Sequence, residues 1–465
     1  MNKPAEIERR IIELEKLAST VLEIKRRSRP RRPIVIEFAG SPKAGKSSCI
    51  SSLDIFLRRN NFRTKILTER ASVCPIPNKF DPIFNVWTAC AALNQLSETL
   101  ANSSKKLDVI ILDRGFFDAL CWFEWQREEK LLRNDDYERF TNFFTSARFR
   151  MTIDLVLVFE SSPETSSERE YKNLLTRKEG SIMRNEVLTS YLTSIKLTAK
   201  KYKNHFREIK EHNTDKQDQN EVSYNVTKTT LSLLKNLAEE KIGFIKKINL
   251  KNLPTIFDYS EISEFVDETL EFNDRTDVEN DQSLLQIIPI AVIKEKGKDE
   301  FLVGTKAQKA TSNSSPEKGK TLCYFGGHIR EEDSNLMGMN SKLDVLKQCV
   351  YREVKEEIGI DLDPSDSNPK CIWVRDGTKS EHHLAVVFVI ELSLSRIKLS
   401  VDGEEFARYE KKGRTGTGDI VSAYDLINSK IDSWTENIVK NITNVNYDER
   451  FPSQPSLFSQ SGAKI

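Results

Sequence analysis

The chain has little of what marks several protein classes. Only five of its 465 residues are histidine, which leaves scant material for a multi-histidine metal centre. Its seven cysteines are scattered with no C-x-x-C pair, which argues for reduced thiols and a cytoplasmic location. No apolar run approaches the length of a membrane span. The first 25 residues are charged throughout, so no secretory leader is expected. An excess of one charge is also missing: Lys+Arg is 71 and Asp+Glu is 70, so no global field draws the chain to nucleic acid or membrane. What remains, 38% hydrophobic and 30% charged, suits a globular chain with a polar surface, long enough for two or three domains.

The strongest signal that is present is Gly40-Ser-Pro-Lys-Ala-Gly-Lys-Ser47, a G-x-x-x-x-G-K-[ST] loop. The apolar run 34–39 before it reads as a buried strand, and the segment from Ser48 to about Arg59 reads as a helix. A strand turning through glycines into a helix aims several backbone N–H groups and the positive end of the helix dipole at one spot. A triphosphate fits there. Lys46 would reach the terminal phosphates and the Ser47 hydroxyl would help hold Mg²⁺. Gly40, Gly45, Lys46, Ser47 and Ser48 are the candidate phosphate-binding residues.

Around this loop the pattern alternates. Strands are expected at 33–39, 63–68, 107–113, 153–159 and 206–211. Helices are expected at 46–59, 82–103, 116–132, 136–147, 164–178, 185–204 and 221–240. That alternation implies an α/β domain, a parallel sheet with helices on both faces, over 31–241. Before it, residues 1–30 read as a helix with an apolar seam at Ile7, Ile11, Leu14, Ala18 and Val21 and a basic linker of Arg26, Arg27, Arg29, Arg31 and Arg32. The seam packs on the neighbouring domain or, alternatively, forms a short dimer coiled coil, which leaves a homo-oligomer open. Residues 242–282 read as a connector. From 283 to 448 the texture becomes short strands (285–295, 299–305, 321–326, 371–376, 384–392, 397–402) around one acidic helix, with a last helix at 425–441, an α+β arrangement. Residues 449–465 read as a flexible tail.

A phosphate loop needs an acid on the metal side, and the buried strand 109–113 ends in Asp113, followed at once by Arg114. An apolar strand ending in Asp-Arg-Gly resembles the signature of the thymidylate kinase and deoxynucleoside kinase superfamily. That resemblance implies that Asp113 organises Mg²⁺ or the acceptor end and that Arg114 neutralises the transferring phosphates. It makes Glu69, at the C-terminal end of the second strand, a candidate base, and Arg169, Arg177 and Lys178 a basic lid. Phe84, Trp87 and Asn94 on the third helix are candidates for contact with a base.

The second strong signal is Arg352-Glu-Val-Lys-Glu-Glu-Ile-Gly359. On a helix, Glu353, Glu356 and Glu357 share one side, Leu346, Val350 and Val354 form an apolar stripe, and Gly359 suits a left-handed cap. Clustered hard oxygen ligands suit Mg²⁺ or Mn²⁺. The segment resembles the Nudix hydrolase box. The resemblance places the box arginine and acids on Arg352, Glu353, Glu356 and Glu357, its earlier glutamate by count on Asp344, and its glycine on Gly327, with an insertion over about 330–340. Glu353, Glu356 and Glu357 would then be metal ligands, Glu353 also a base. His328, His383, Glu404 and Glu405 are further candidates near phosphate or metal.

These readings combine into a bifunctional enzyme, a kinase with ATP as phosphoryl donor fused to a Mg²⁺-dependent (or Mn²⁺-dependent) Nudix pyrophosphohydrolase. Small-molecule nucleotides are the expected partners, with no membrane and no nucleic acid. The alternatives are a nucleotide sensor or regulatory NTPase without turnover, and a P-loop enzyme that processes RNA ends.

Overall fold

The computed structural model describes residues 3–27, 32–103, 107–173, 180–247, 250, 253–305, 317–334, 341–360, 362, 364, 368–394, 409–411, 414–416 and 419–443. The chain divides into two compact units between Glu240 and Lys241. No described helix is long and apolar enough to cross a membrane.

In the first unit, strands β1 (Ile34–Gly40), β2 (Thr64–Leu67), β3 (Val109–Asp113), β4 (Leu155–Glu160) and β5 (Ile209–Asn213) form one parallel sheet in the order β2-β3-β1-β4-β5. β1 is central and buried on both faces, which explains its continuous apolar run. The chain moves to one side of β1 for β2 and β3 and to the other for β4 and β5. That reversal opens a crevice at the carboxyl end of β1, where open α/β sheets bind ligands.

Helices α1 (Lys3–Arg27), α2 (Lys46–Arg59), α3 (Pro82–Ser103), α4 (Phe116–Glu128), α5 (Asn134–Phe144), α6 (Ala147–Arg150), α7 (Pro163–Asn173), α8 (Asn185–Tyr202) and α9 (Gln219–Ala238) cover the sheet. One core joins α3, α4 and α8 to one face; the other joins α1, α2 and α9 to the opposite face. Leu14, Ala18 and Val21 of α1 are buried with Val222 and Val226 of α9, and Glu13 accepts hydrogen bonds from Tyr224 (2.8 Å) and Lys228 (2.7 Å). The seam is buried only from Leu14 onward; Ile7 and Ile11 stay exposed. Arg32 of the basic linker is spoken for. It grips the buried Asp154 with two N–H bonds of 2.8 and 2.9 Å, and Asp154 also takes Arg207 at 2.7 Å and the Val35 N–H at 2.9 Å. The side chains of Arg26, Arg27, Arg29 and Arg31 lie outside the described residues.

The second unit is a mixed sheet flanked by helices. Its strands are β6 (Lys241–Lys246), β7 (Ile256–Asp258), β8 (Glu271–Asp274), β9 (Leu284–Glu295), β10 (Glu300–Thr305), β11 (Thr321–Leu322), β12 (Phe325–Gly326), β13 (Lys370–Ile372), β14 (His383–Leu392) and β17 (Asp419–Ser422), with β15 (Tyr409–Lys411) and β16 (Arg414–Gly416) a separate hairpin. β9 and β14 run parallel over ten paired positions and form its spine. Helices α10 (Ser263–Thr269), α11 (Arg275–Asn280), α12 (Glu331–Ser334) and α13 (Lys342–Ile358) precede β13. Residues 242–282 are not surface connector. β6 pairs with both β8 and β9, β7 extends the edge beside β13, and Ile245, Phe257, Val266 and Leu270 join the core. Their apolar stretches are only a few residues long, too short to show a period in the sequence. The expected strand 321–326 is two short pieces, and the expected last helix breaks into α14 (Ala423–Ile427), α15 (Ser433–Asn437) and a π turn at Ile438–Ile442. Asp432 caps α15 through the Thr435 N–H, restarting the helix there. The expected strand 397–402 and the tail 449–465 lie outside the described residues.

Asp154 tests the first fold. Replacing it with Ala takes the shared carboxylate from Arg32 and Arg207, which are 35% and 20% exposed, and from the Val35 amide, and unfolding of the first unit in urea is expected to lose about 1–3 kcal/mol. A loss within experimental error would show that the pairs contribute nothing.

Candidate functional site

The phosphate loop is shaped by two glycines in left-handed backbone. Gly40 has φ +115°, and a Cβ there would lie 2.1 Å from the Phe159 carbonyl oxygen. Gly45, at φ +94°, caps α2. The loop folds over Lys46, whose buried ammonium donates to the carbonyls of Gly40 (2.9 Å) and Ser41 (2.6 Å). Burial, helped by the nearby Arg114 charge, lowers its pKa to about 7. The buried Ser41 hydroxyl has no hydrogen-bond partner among the described residues. Ser47 and Ser48 are exposed on the first turn of α2, where backbone N–H groups have no intrahelical acceptor. An orphaned hydroxyl, open amides and a desolvated lysine fit a polyphosphate anion.

Four charged side chains meet at the ends of β2 and β3. Asp118, on the first turn of α4, accepts from the Gly40 N–H at 2.9 Å and from Arg114 at 2.7 Å. Arg114, itself in left-handed backbone at φ +61°, also lies 3.4 Å from Glu69. Burial raises the Glu69 carboxyl above its ordinary value; Asp118 and Asp113 push the same way, against Arg114 and Lys46. Asp113 is also raised by burial, with Arg114 and Lys46 opposing. Behind them, the fully buried Glu37 of β1 takes the Gly115, Phe117 and Asp118 N–H groups at 2.9, 3.1 and 2.8 Å, which fixes the start of α4. Burial lifts its carboxyl to about 8 even so.

A cavity of about 180 Å³ opens beside this cluster, and Glu69, Arg70, Arg114 and Asp118 line it together with Asn85 and Gln95 of α3 and Trp122 of α4. The Asn85 amide nitrogen is buried without a partner among the described residues. Trp122 stacks on Tyr191 with ring centroids 3.7 Å apart. Of the aromatic and amide residues singled out on α3, Phe84 lines the cavity, Trp87 does not, and Asn94 is exposed and donates to Glu98 at 3.3 Å. The sequence reading missed Asp118, Asn85, Gln95 and Trp122. Only Asp118 carried a signal, as the acid four residues after Arg114 at a helix start. Arg169 donates to the Thr214 carbonyl (2.7 Å), the Thr214 hydroxyl (3.0 Å) and the Lys43 carbonyl of the phosphate loop (3.2 Å). Arg177 and Lys178 lie outside the described residues.

In the second unit the acid helix is α13. Gly359 ends it in left-handed backbone at φ +77°. Arg352 pairs with Asp333, whose two oxygens its Nε and Nη2 reach at 2.8 Å each, and also donates to the His328 carbonyl at 3.1 Å. Asp344 instead forms a capping box with Ser341 at the start of α13. Asp333 lies six residues after Gly327 in the sequence, and Asp344 seventeen. Glu353 sits under Gly327 and bonds Arg352, while Glu357 accepts the Gly326 N–H at 3.0 Å. Arg330 enters the same cluster, 3.7 Å from Glu356 and 3.9 Å from Glu353. Among the described residues no three carboxylate, thiol or imidazole groups converge well enough to hold a metal ion. As arranged, Glu353 and Glu356 face the guanidiniums of Arg330 and Arg352, and Glu357 takes the Gly326 amide, a donor set occupied by cations and an N–H that does not fit a divalent cation. His328 bonds Gln286 at 2.7 Å, and burial lowers His383, bonded to the Lys379 carbonyl at 2.9 Å, to about 4. Glu404 and Glu405 lie outside the described residues.

No family model and no curated protein matches the chain. Among solved structures, the deoxyadenosine kinase of M. mycoides with dCMP and dCDP is 17% identical, covering 43% of this chain and 99% of that one at TM-score 0.34. The same kinase with dCTP gives 16%, 43%, 99% and 0.33. Tm1382, a candidate Nudix hydrolase, is 18% identical, covering 42% of this chain and 94% of that one at TM-score 0.30. Identities this low leave substrate and chemistry to the residues themselves.

The two glycines beside α13 differ in a testable way. A Cβ on Gly327 meets the Glu353 carboxylate at 2.7 Å, a side chain that can shift; one on Gly326 meets the Pro289 carbonyl oxygen at 2.3 Å, which cannot. Denaturant titration should show Gly327→Ala losing about 1–3 kcal/mol and Gly326→Ala more. The reverse order would contradict this packing.

Proposed function

We propose that the first unit transfers a phosphoryl group from ATP to a nucleoside or nucleotide, and that the second is a Nudix-like hydrolase module for nucleoside diphosphate derivatives. Shared use of phosphorylated nucleosides is the simplest reason for one chain to carry both. The reading rests above all on one juxtaposition: a phosphate loop holding a desolvated Lys46 opens beside a cavity whose mouth carries Glu69 and Arg114.

The roles follow from the placement. Loop amides and Lys46 take the donor phosphates, and Arg114, braced by Asp118, neutralises charge on the group in transfer. Ser47 and Asp113 are the residues that would hold Mg²⁺, which supplies further charge neutralisation when bound. Glu69, with its raised carboxyl, accepts the acceptor's proton at near-neutral pH. Asn85 and Gln95 offer amides, and Trp122 a ring, to the acceptor within the cavity. Catalysis here is mostly positioning and charge neutralisation. Arg177 and Lys178 keep their proposed place as a lid. The arginine-filled acid cluster of the second unit favours, as a second reading, ligand binding without turnover. The engagement of Arg32 with Asp154 removes one of the charges that an RNA-end enzyme would use.

Product analysis by mass spectrometry over a nucleoside and nucleotide panel tests the assignment with the parent, Lys46→Ala and Glu356→Gln. Lys46→Ala is expected to lower phosphoryl transfer about a hundredfold or more while sparing hydrolysis. Binding of ATP without any transfer by the parent would favour the sensor. Glu69 adds a pH test. The base works ionised, so kcat/KM should fall as pH drops through a pKa above the ordinary glutamate value of 4.5. Glu69→Gln should flatten that limb; an unchanged profile removes Glu69 as base.

Lys46 gives a readout independent of turnover. Its amine is largely neutral at pH 8 in the free protein, because burial holds it near 7. Phosphate charge favours the protonated form, so ATP binding at pH 8 should take up about one proton. Calorimetry in buffers of different ionisation enthalpy measures this. Equal apparent enthalpies in all buffers would refute it.

A further inference from the structure

The acid cluster of the second unit is peculiar in what lies inside it. Arg330 follows the glycine-rich end of β12 and is only 8% exposed. Its N–H groups face three carboxylates: Glu332 at 3.5 Å, Glu356 at 3.7 Å and Glu353 at 3.9 Å. Its backbone is fixed too, since the Arg330 N–H donates to Asp333 at 2.9 Å and Arg330 forms a β-bridge with Ile242. Arg352 enters from the other side, bonding Glu353 and lying 3.8 Å from Glu356. Both Asp333 oxygens are committed to Arg352, and one Glu357 oxygen to the Gly326 amide. The two acids that would bridge a cation from α13, Glu353 and Glu356, thus already share two guanidiniums.

We propose that Arg330 is the resident counter-ion of this cluster, and that a divalent cation enters between Glu353 and Glu356 only by displacing it. The physical reason is direct. A dication close to both carboxylates would lie against the guanidinium; the side chains of Arg330 and Glu353 are each 9% exposed, so the repulsion there is weakly screened, although that of Glu356 is 46% exposed. A planar guanidinium pairs with carboxylates without needing the compact ligand set that Mg²⁺ or Mn²⁺ demands. The sequence shows why this was hidden. The acids read as a metal helix, whereas Arg330 stands 23 residues before Glu353 and is brought in by the β12–α12 turn. The inference concerns the acid helix of the proposed hydrolase module and rests on that reading only for the choice of cation.

Mn²⁺ titration of the full chain without nucleotide, followed by electron paramagnetic resonance, tests it. Parent, Arg330→Gln and the double variant Arg330→Gln/Glu356→Gln are compared. Arg330→Gln is expected to bind one more Mn²⁺, or to bind it at least about tenfold tighter, than the parent. The double variant should lose that gain. Thermal unfolding gives a second readout: Mn²⁺ should stabilise Arg330→Gln more than the parent. Should Arg330→Gln fold only when Mn²⁺ is present, and not with monovalent salt, the exchange of one cation for another is demonstrated just as well. Equal Mn²⁺ affinity in parent and Arg330→Gln overturns the proposal, as does absence of Mn²⁺ binding in both. Should Arg330→Gln fail to fold even with Mn²⁺, Arg330→Lys decides; parent-like Mn²⁺ affinity together with tight binding in the parent overturns it. Hydrolysis assays stand apart: an inactive parent that gains Mn²⁺ affinity on losing Arg330 would reject the hydrolase reading and keep this one.

Discussion

One carboxylate, Asp118, fixes the geometry of the first unit's site. One of its oxygens takes the amide of Gly40, where β1 ends and the phosphate loop begins; the other takes the guanidinium of Arg114, where β3 ends. Two strand ends, a loop and a helix start are thereby held to one point. Together with the Arg114 N–H bond to the Phe38 carbonyl (3.0 Å), Asp118 helps hold Arg114 in a left-handed backbone, a conformation that costs a non-glycine residue on the order of 1 kcal/mol or more. Glu37 does the complementary task from beneath, satisfying three amides at the start of α4 so that Asp118 is presented at a fixed angle. The residues that would touch phosphate are thus set by residues that would not.

The two units treat charge in opposite ways. In the first, a cation waits: Lys46 is desolvated, its pKa pushed down by burial, and held by two carbonyls, so an incoming anion completes an unfinished balance. In the second, anions are already answered, with Arg330 and Arg352 lodged among Glu332, Asp333, Glu353 and Glu356. Burial makes both arrangements consequential, because an unpaired charge in either place is costly.

β1, β3 and β4 were legible because each is a buried, nearly continuous apolar run, and the loop at Gly40 sat between a strand and a helix. The edge strands β2 and β5 are partly exposed and carry polar residues, and β5 lies at Ile209–Asn213, a few residues beyond the expected 206–211. Glu69 and Arg114 were legible as strand-end residues. Asn85, Gln95 and Trp122 were not, since nothing local distinguishes a helix residue that lines a cavity from one that fills a core. Residues 242–282 failed for a different reason. Strands of three to six residues that pair with partners such as β9 and β13 are specified by the sheet they join, not by their own pattern.

Arg352 takes Asp333 as its partner, while Asp344 serves the start of α13. A motif counted by residue number assumes continuous structure, but here a new helix is nucleated inside it. Ser341 and Asp344 cap α13 from their own side chains, so the helix needs no fixed distance to what precedes it. Asp333 meanwhile is fixed in space by the Arg330 amide and by both nitrogens of Arg352. With each end anchored independently, the number of residues between them is free to change while the acid face of α13 stays in place. The geometry that matters is carried by the ion pair, not by the count of residues.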